Sequence, residues 1–96
     1  MKKENKNVIS ISTPSGFECE IDRDKFDDWE FVEIISGKDD LSAHRMFVFV
    51  VNKVLSPEDA AKLKEMCKKP DGAVSSTKME NIVGEIMEAY GEQAKN

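Results

Sequence analysis

The sequence predicts an α+β fold, an N-terminal β-hairpin followed by about four helices packed into a small, mainly helical domain. Three observations carry this: a short alternating stretch split by a proline-glycine turn, a succession of helix-start signals behind it, and a length of 96 residues, enough for one modest core but not two. The domain therefore covers 1–96, with 1–6 a flexible N-terminus, 7–21 the hairpin, 22–91 the helical part and 92–96 a fraying tail.

The hairpin rests on period and turn chemistry. Val8-Ile9-Ser10-Ile11-Ser12 is rich in β-branched residues, and Phe17, Cys19 and Ile21 alternate with Glu18 and Glu20 as a half-buried strand requires. Between them, Pro14 presets φ and Gly16 supplies a conformation that other residues resist. A lone hairpin is marginal in water, so it must pack on the helical remainder of the chain.

A first helix is expected near 24–36. Asp22 or Asp24 caps it, Asp27 and Asp28 favour the positive end of its dipole, and Gly37 stops it. Phe26, Trp29, Val32 and Ile35 recur at helical spacing, which makes Trp29, the single tryptophan, the expected core anchor between hairpin and helices. The run Met46-Phe47-Val48-Phe49-Val50-Val51 suits a buried helix or a buried strand. Its setting from Leu41 to Leu55 is long for a strand and holds neither Gly nor Pro, which favours a helix over about 40–55, with a third strand as the alternative.

Ser56-Pro57-Glu58-Asp59 is a strong start for a helix over about 57–69, ended by Pro70-Asp71-Gly72. Ser75 or Ser76 then caps a last helix whose stripe is Met79, Ile82, Val83, Ile86, Met87 and Tyr90.

Composition narrows the function. With 40% apolar and 34% charged residues the chain reads as globular, and no apolar run approaches the roughly 18–20 residues that span a bilayer. The start Met1-Lys2-Lys3 lacks the apolar stretch of a secretory signal, so the expected location is a cytoplasm, with no membrane partner. Net charge is −5, unevenly spread: eight acids face two bases from Glu18 to Glu33, and four lysines face one acid from Lys62 to Lys69. Such a chain is a poor nucleic-acid ligand, because phosphate binding needs a broad basic face. The two opposed patches suit a subunit contact or two solvated helix faces.

No catalytic, cofactor or metal site assembles on paper. Cys19 and Cys67 stand far apart beside a single histidine, short of a paired zinc spacing, and read as buried thiols. Asp22, Asp24, Asp28, Glu30 and Glu33 fall at positions 1, 3, 7, 9 and 12 of a calcium loop, but Phe26 and Asp27 occupy positions that need an oxygen ligand and a glycine. His44 lacks a spaced partner for general-base work, the serines lie in strand, turn or cap contexts, and no glycine-rich phosphate loop is present. An enzyme is not expected. Five methionines suggest instead an adaptable apolar surface, with Met79, Met87 and Tyr90 as candidates for binding an amphipathic partner helix.

Taken in order, Ser15-Gly16-Phe17-Glu18-Cys19-Glu20-Ile21-Asp22, the Asp27-Asp28-Trp29-Glu30 helix start, an apolar helix ending Val54-Leu55, a Pro57-to-Lys69 helix, the Asp71-Gly72-Ala73-Val74-Ser75 break and the closing Glu85-Ile86-Met87-Glu88 resemble the small tail assembly chaperones of long-tailed phages and prophages of Gram-positive bacteria. The similarity runs from about residue 8 to the end, with a second helix richer in Val and Phe than that family's leucine-rich version. The resemblance implies a non-enzymatic, cofactor-free role: coating the tape measure protein and keeping it soluble before the tail tube polymerises around it. It also implies self-association along the client and a longer, frameshifted form that recruits the tail tube protein.

Two alternatives stand beside it. A small prophage-encoded acidic protein regulating a host protein would present Asp22, Asp24, Asp27, Asp28 and Glu30 as a phosphate-like array. A structural tail component would remain in the virion.

Overall fold

The computed structural model describes residues 7–37 and 41–94. Strands β1 (Val8–Ser12) and β2 (Glu18–Asp22) pair antiparallel, with Ile9 opposite Ile21 and Ile11 opposite Cys19. At the connection Gly16 donates to the Thr13 carbonyl and sits at φ +93°, a left-handed position where a side chain would be strained. Thr13 is buried, and its hydroxyl is bonded to both the N–H and the C=O of Phe17, so the turn holds the register from inside. Ile11, Phe17, Cys19 and Ile21 point inward while Ser10, Ser12, Glu18 and Glu20 remain exposed. The expected hairpin is thus present, with the expected alternation along its second strand.

The expected first helix is two pieces. A 3₁₀ turn at Arg23–Phe26 is capped by Asp22, whose carboxylate accepts from the Asp24 N–H, and helix α1 (Trp29–Ser36) begins only after Asp28 caps it through the Glu30 N–H. That break overturns one expectation. A stripe read from Phe26 through Trp29, Val32 and Ile35 assumes one unbroken helix, whereas the restart at Asp28 changes the phase and turns Phe31 and Ile34 to the core instead. Trp29 is 72% exposed and anchors nothing inside. Phe26 stays in the interior layer on its own terms, its ring tilted against Phe31 at 5.0 Å and Tyr90 at 4.9 Å.

The apolar run is helical, so the third-strand alternative falls. Helix α2 (Leu41–Phe49) passes directly into a π-helical segment, Val50–Val54, in which the Leu55 N–H reaches back to the Val50 carbonyl at 2.9 Å. Through this segment the adjacent pairs Val50-Val51 and Val54-Leu55 both lie in the core.

Helix α3 (Pro57–Met66) starts as read, with Ser56 accepting from the Asp59 N–H, but ends three residues before the expected Lys69. Pro70 pushes Lys69 out of helical geometry, and Lys68 bridges Val74 across a small turn with Gly72 at φ +93°. Ser75 then caps helix α4 (Ser76–Ala94), which places Ile82, Val83 and Ile86 in the core.

Helix α4 lies along the hairpin and is tied to it at two points. Glu85 accepts from both the N–H and the hydroxyl of Ser15, and Gln93 donates to the Ser10 carbonyl at 2.9 Å. The helix runs to Ala94, past the expected bound of 91, and Gln93 within that stretch has its partner on β1. Residues 95 and 96, and the expected flexible 1–6, lie outside the described residues.

This packing ranks two apolar side chains of α1 against each other. Ile34→Ala should cost about 2–5 kcal/mol in urea unfolding, whereas Trp29→Ala should change stability by under about 0.5 kcal/mol; a reversed ranking would restore Trp29 to the core. Cys19 and Cys67 are buried free thiols, and burial, with Asp59 and Glu20 nearby, pushes Cys19 up to about 11. Because the unfolded chain's thiol ionises first, the stability tied to Cys19 is full below about pH 9 and declines as pH rises toward about 11. At neutral pH both thiols should react with a disulfide reagent no faster than the chain unfolds.

Candidate partner-binding surface

Helix α1 is apolar on two sides. Its inner side carries Phe31 and Ile34, and its outer side carries Trp29, Val32 and Ile35, of which Trp29 is 72% and Ile35 53% exposed. Helix α2 repeats the pattern, burying Phe49 while leaving Leu41 and Val48 each 56% exposed. Helices apolar on two sides have a second partner to bury against, or leave an adhesive surface in water.

Two open grooves lie beside the region where α2 meets α4, and Phe47 lines both. The first, about 350 Å³, is walled by Phe47, Val48, Val51, Val74, Met79 and Val83. Its rim carries the pair formed by His44 Nδ1 and Glu80 Oε2 at 2.8 Å, which links α2 to α4. The second, about 400 Å³, is walled by Ile34, Ile35, Met46, Phe47 and Met87, and so runs into the outer side of α1 through Ile35. A third groove, about 460 Å³, lies between α1 and α2 and is more polar, with Glu30, Glu33, Arg45 and Lys53 among its walls.

The expected binding residues are distributed across this surface rather than gathered. Met79 lines the first groove and Met87 the second, both half-buried against the core. Eight residues of helix separate them by about 12 Å. Tyr90 is half-buried and packed against Phe26, and lines neither groove. Val48, Val74 and the Trp29–Ile35 stripe were missed as surface. The signal for the stripe was present, because an α1 starting after Asp28 leaves two apolar sides, only one of which the core can take.

The acids have local duties. Asp22 and Asp28 cap the 3₁₀ turn and α1, Asp24 accepts from the Asn7 side chain, and Glu30 pairs with Lys53 from the π segment, holding that ammonium above its ordinary range. Among the described residues no three His, Cys, Asp or Glu side chains come together as a metal cage, and the stretch that matched a calcium loop is spent on two helix starts. His44 is exposed, with Glu80 as its partner. Among the described residues no helix is long and apolar enough to cross a membrane. Comparison with protein-family models, curated proteins and solved structures gives no match.

The exposure of the single indole gives a direct check. Trp29 fluorescence should be red-shifted and quenched efficiently by acrylamide in the native protein, changing little on unfolding; a blue, protected emission that shifts on unfolding would contradict the outward placement.

Proposed function

We propose that this chain is a non-enzymatic assembly chaperone of the phage-tail kind, which holds the tape measure protein soluble in the bacterial cytoplasm until the tail tube forms around it. The observation that carries the reading is the pair of apolar grooves sharing Phe47, with Met79 in one and Met87 in the other. A long helical client offers apolar side chains at steps of three and four residues, and an amphipathic helix laid across two shallow grooves inserts such side chains one after another. Methionine suits the task because its unbranched chain adapts to differing client side chains along a repetitive rod. The order of sequence features shared with tail chaperones supports the same reading. A longer, frameshifted form recruiting the tail tube protein belongs to this proposal.

The acidic-array alternative draws less support. Of its five acids, Asp22 and Asp28 are engaged as caps, Asp24 with Asn7 and Glu30 with Lys53, so a partner would compete with contacts that the fold already uses.

Co-expression with the tape measure protein tests the reading. The client should become soluble and co-purify with several copies of this chain, and Met79→Glu with Met87→Glu should lower the recovered complex at least tenfold without unfolding the chaperone. Recovery should change little with salt, because apolar contacts are not screened. A client that stays insoluble beside a folded, abundant chain would overturn the proposal.

A further inference from the structure

Helix α1 turns an apolar side outward, and the charge around that side has a single sign. Trp29, Val32 and Ile35 are 72%, 39% and 53% exposed. From Phe26 to Gly37 the chain carries Asp27, Asp28, Glu30 and Glu33 and no lysine or arginine. Asp28 caps the helix and Glu30 pairs with Lys53, whereas Asp27 and Glu33 are exposed and have no ion-pair partner among the described residues. Glu33 follows Trp29 by four residues, so the two share the outer side of the helix one turn apart.

The stripe projects instead of receding. Neither Trp29 nor Val32 lines any of the three grooves, and only Ile35 of the stripe reaches one. It is also held still from behind, because Phe31 and Ile34 pack into the core, Phe31 against both Phe26 and Phe49, and Glu30 ties the helix to the π segment. A projecting aromatic on a rigid element loses little freedom on binding, and such side chains dominate interface energetics. From Trp29 to Ile35 the stripe runs about 9 Å, and its side chains are knobs that fit the hollows between the residues of a facing helix.

We infer that the outer side of α1 docks a basic amphipathic helix of another protein, one whose apolar stripe is flanked by lysine or arginine. The partner's apolar residues cover Trp29, Val32 and Ile35, one cation lies over the face of the indole, and others meet Asp27 and Glu33. A second copy of this chain fits poorly, since α3 and α4 each carry more acids than bases and α2 has Arg45 alone. The inference does not rest on the client reading.

Trp29, the single tryptophan, reports on this contact directly. The probes are two tryptophan-free synthetic helices of about 18 residues with leucines at steps of three and four, one otherwise lysine and the other otherwise glutamate. Titrated into the full chain, the lysine helix should shift Trp29 emission to the blue, with affinity falling at least about tenfold from about 0.05 to about 0.5 M salt. The glutamate helix should leave the emission unchanged. Val32→Lys, with an unchanged circular dichroism spectrum, should weaken binding at least about tenfold. Asp27→Asn with Glu33→Gln should weaken it about three- to tenfold, whereas Glu58→Gln with Glu88→Gln, the same change of charge on α3 and α4, should not. Met79→Glu with Met87→Glu should bind no more weakly than wild type, because the grooves are not the site. No blue shift, equal binding of both helices, equal loss from both acid pairs, loss in the methionine variant, or a folded Val32→Lys chain that binds like wild type would each overturn the inference. So would a blue shift of the chain alone as its concentration rises, which would assign the stripe to a second copy.

Discussion

Two strands cannot shelter one another's side chains from water, and the structure is arranged around covering the inner face of the hairpin. Helix α4 lies along it, and Ile82, Val83 and Ile86 join Ile11, Cys19 and Ile21 in one apolar cluster. Two ties fix how the helix lies: Ser15 to Glu85 at the turn, Ser10 to Gln93 midway along β1. These polar contacts also occupy the sheet's outer edges, since Gln93 takes a free carbonyl of β1 and Asp59 takes the Glu20 N–H of β2. A hairpin so blocked has fewer backbone groups with which to recruit a foreign strand. Association through this protein is therefore left to its helices.

Committing α4 to the hairpin determines what the remaining helices can bury. The π segment and the Leu55 that follows it bring the pairs Val50-Val51 and Val54-Leu55 to the core, and α2 is left lying against α4 with Phe47 lining a groove on each side and Val48 exposed. Helix α1 covers this layer with Phe31 and Ile34 and has an apolar side to spare. The apolar surface follows from the way a small core is filled by helices carrying more apolar residues than it can take. Such a body binds by offering area, with charge arranged around it to set orientation.

How much of this was legible depended on the range of the physical cause. The hairpin was readable because its alternation and its proline-glycine turn act within a few residues, and the starts of α3 and α4 because Ser56-Pro57 and Ser75 act within one turn. Trp29 was misplaced because both Asp22 and Asp28 are good caps, and the choice to restart the helix at the second depends on packing by Phe31 that no local pattern reveals. The early end of α3 and the late end of α4 have the same character. One is decided by the Lys68–Val74 bridge and the other by Gln93 meeting Ser10, 83 residues away. Of the candidate binding residues, Met79 and Met87 reached grooves because they edge the core stripe of α4, while Tyr90, on the same stripe, was taken up by Phe26.

The central claim is that client contact is made in the two grooves beside Phe47. Methyl-labelled methionine NMR measures this most directly, since Met79 and Met87 line those grooves, Met46 shares the second, and Met66 lies on α3 outside both. On adding segments of the tape measure protein, the Met79 and Met87 methyl signals should shift or broaden together while Met66 holds its position. Binding that moves Met66 and leaves Met79 and Met87 unchanged would contradict the account.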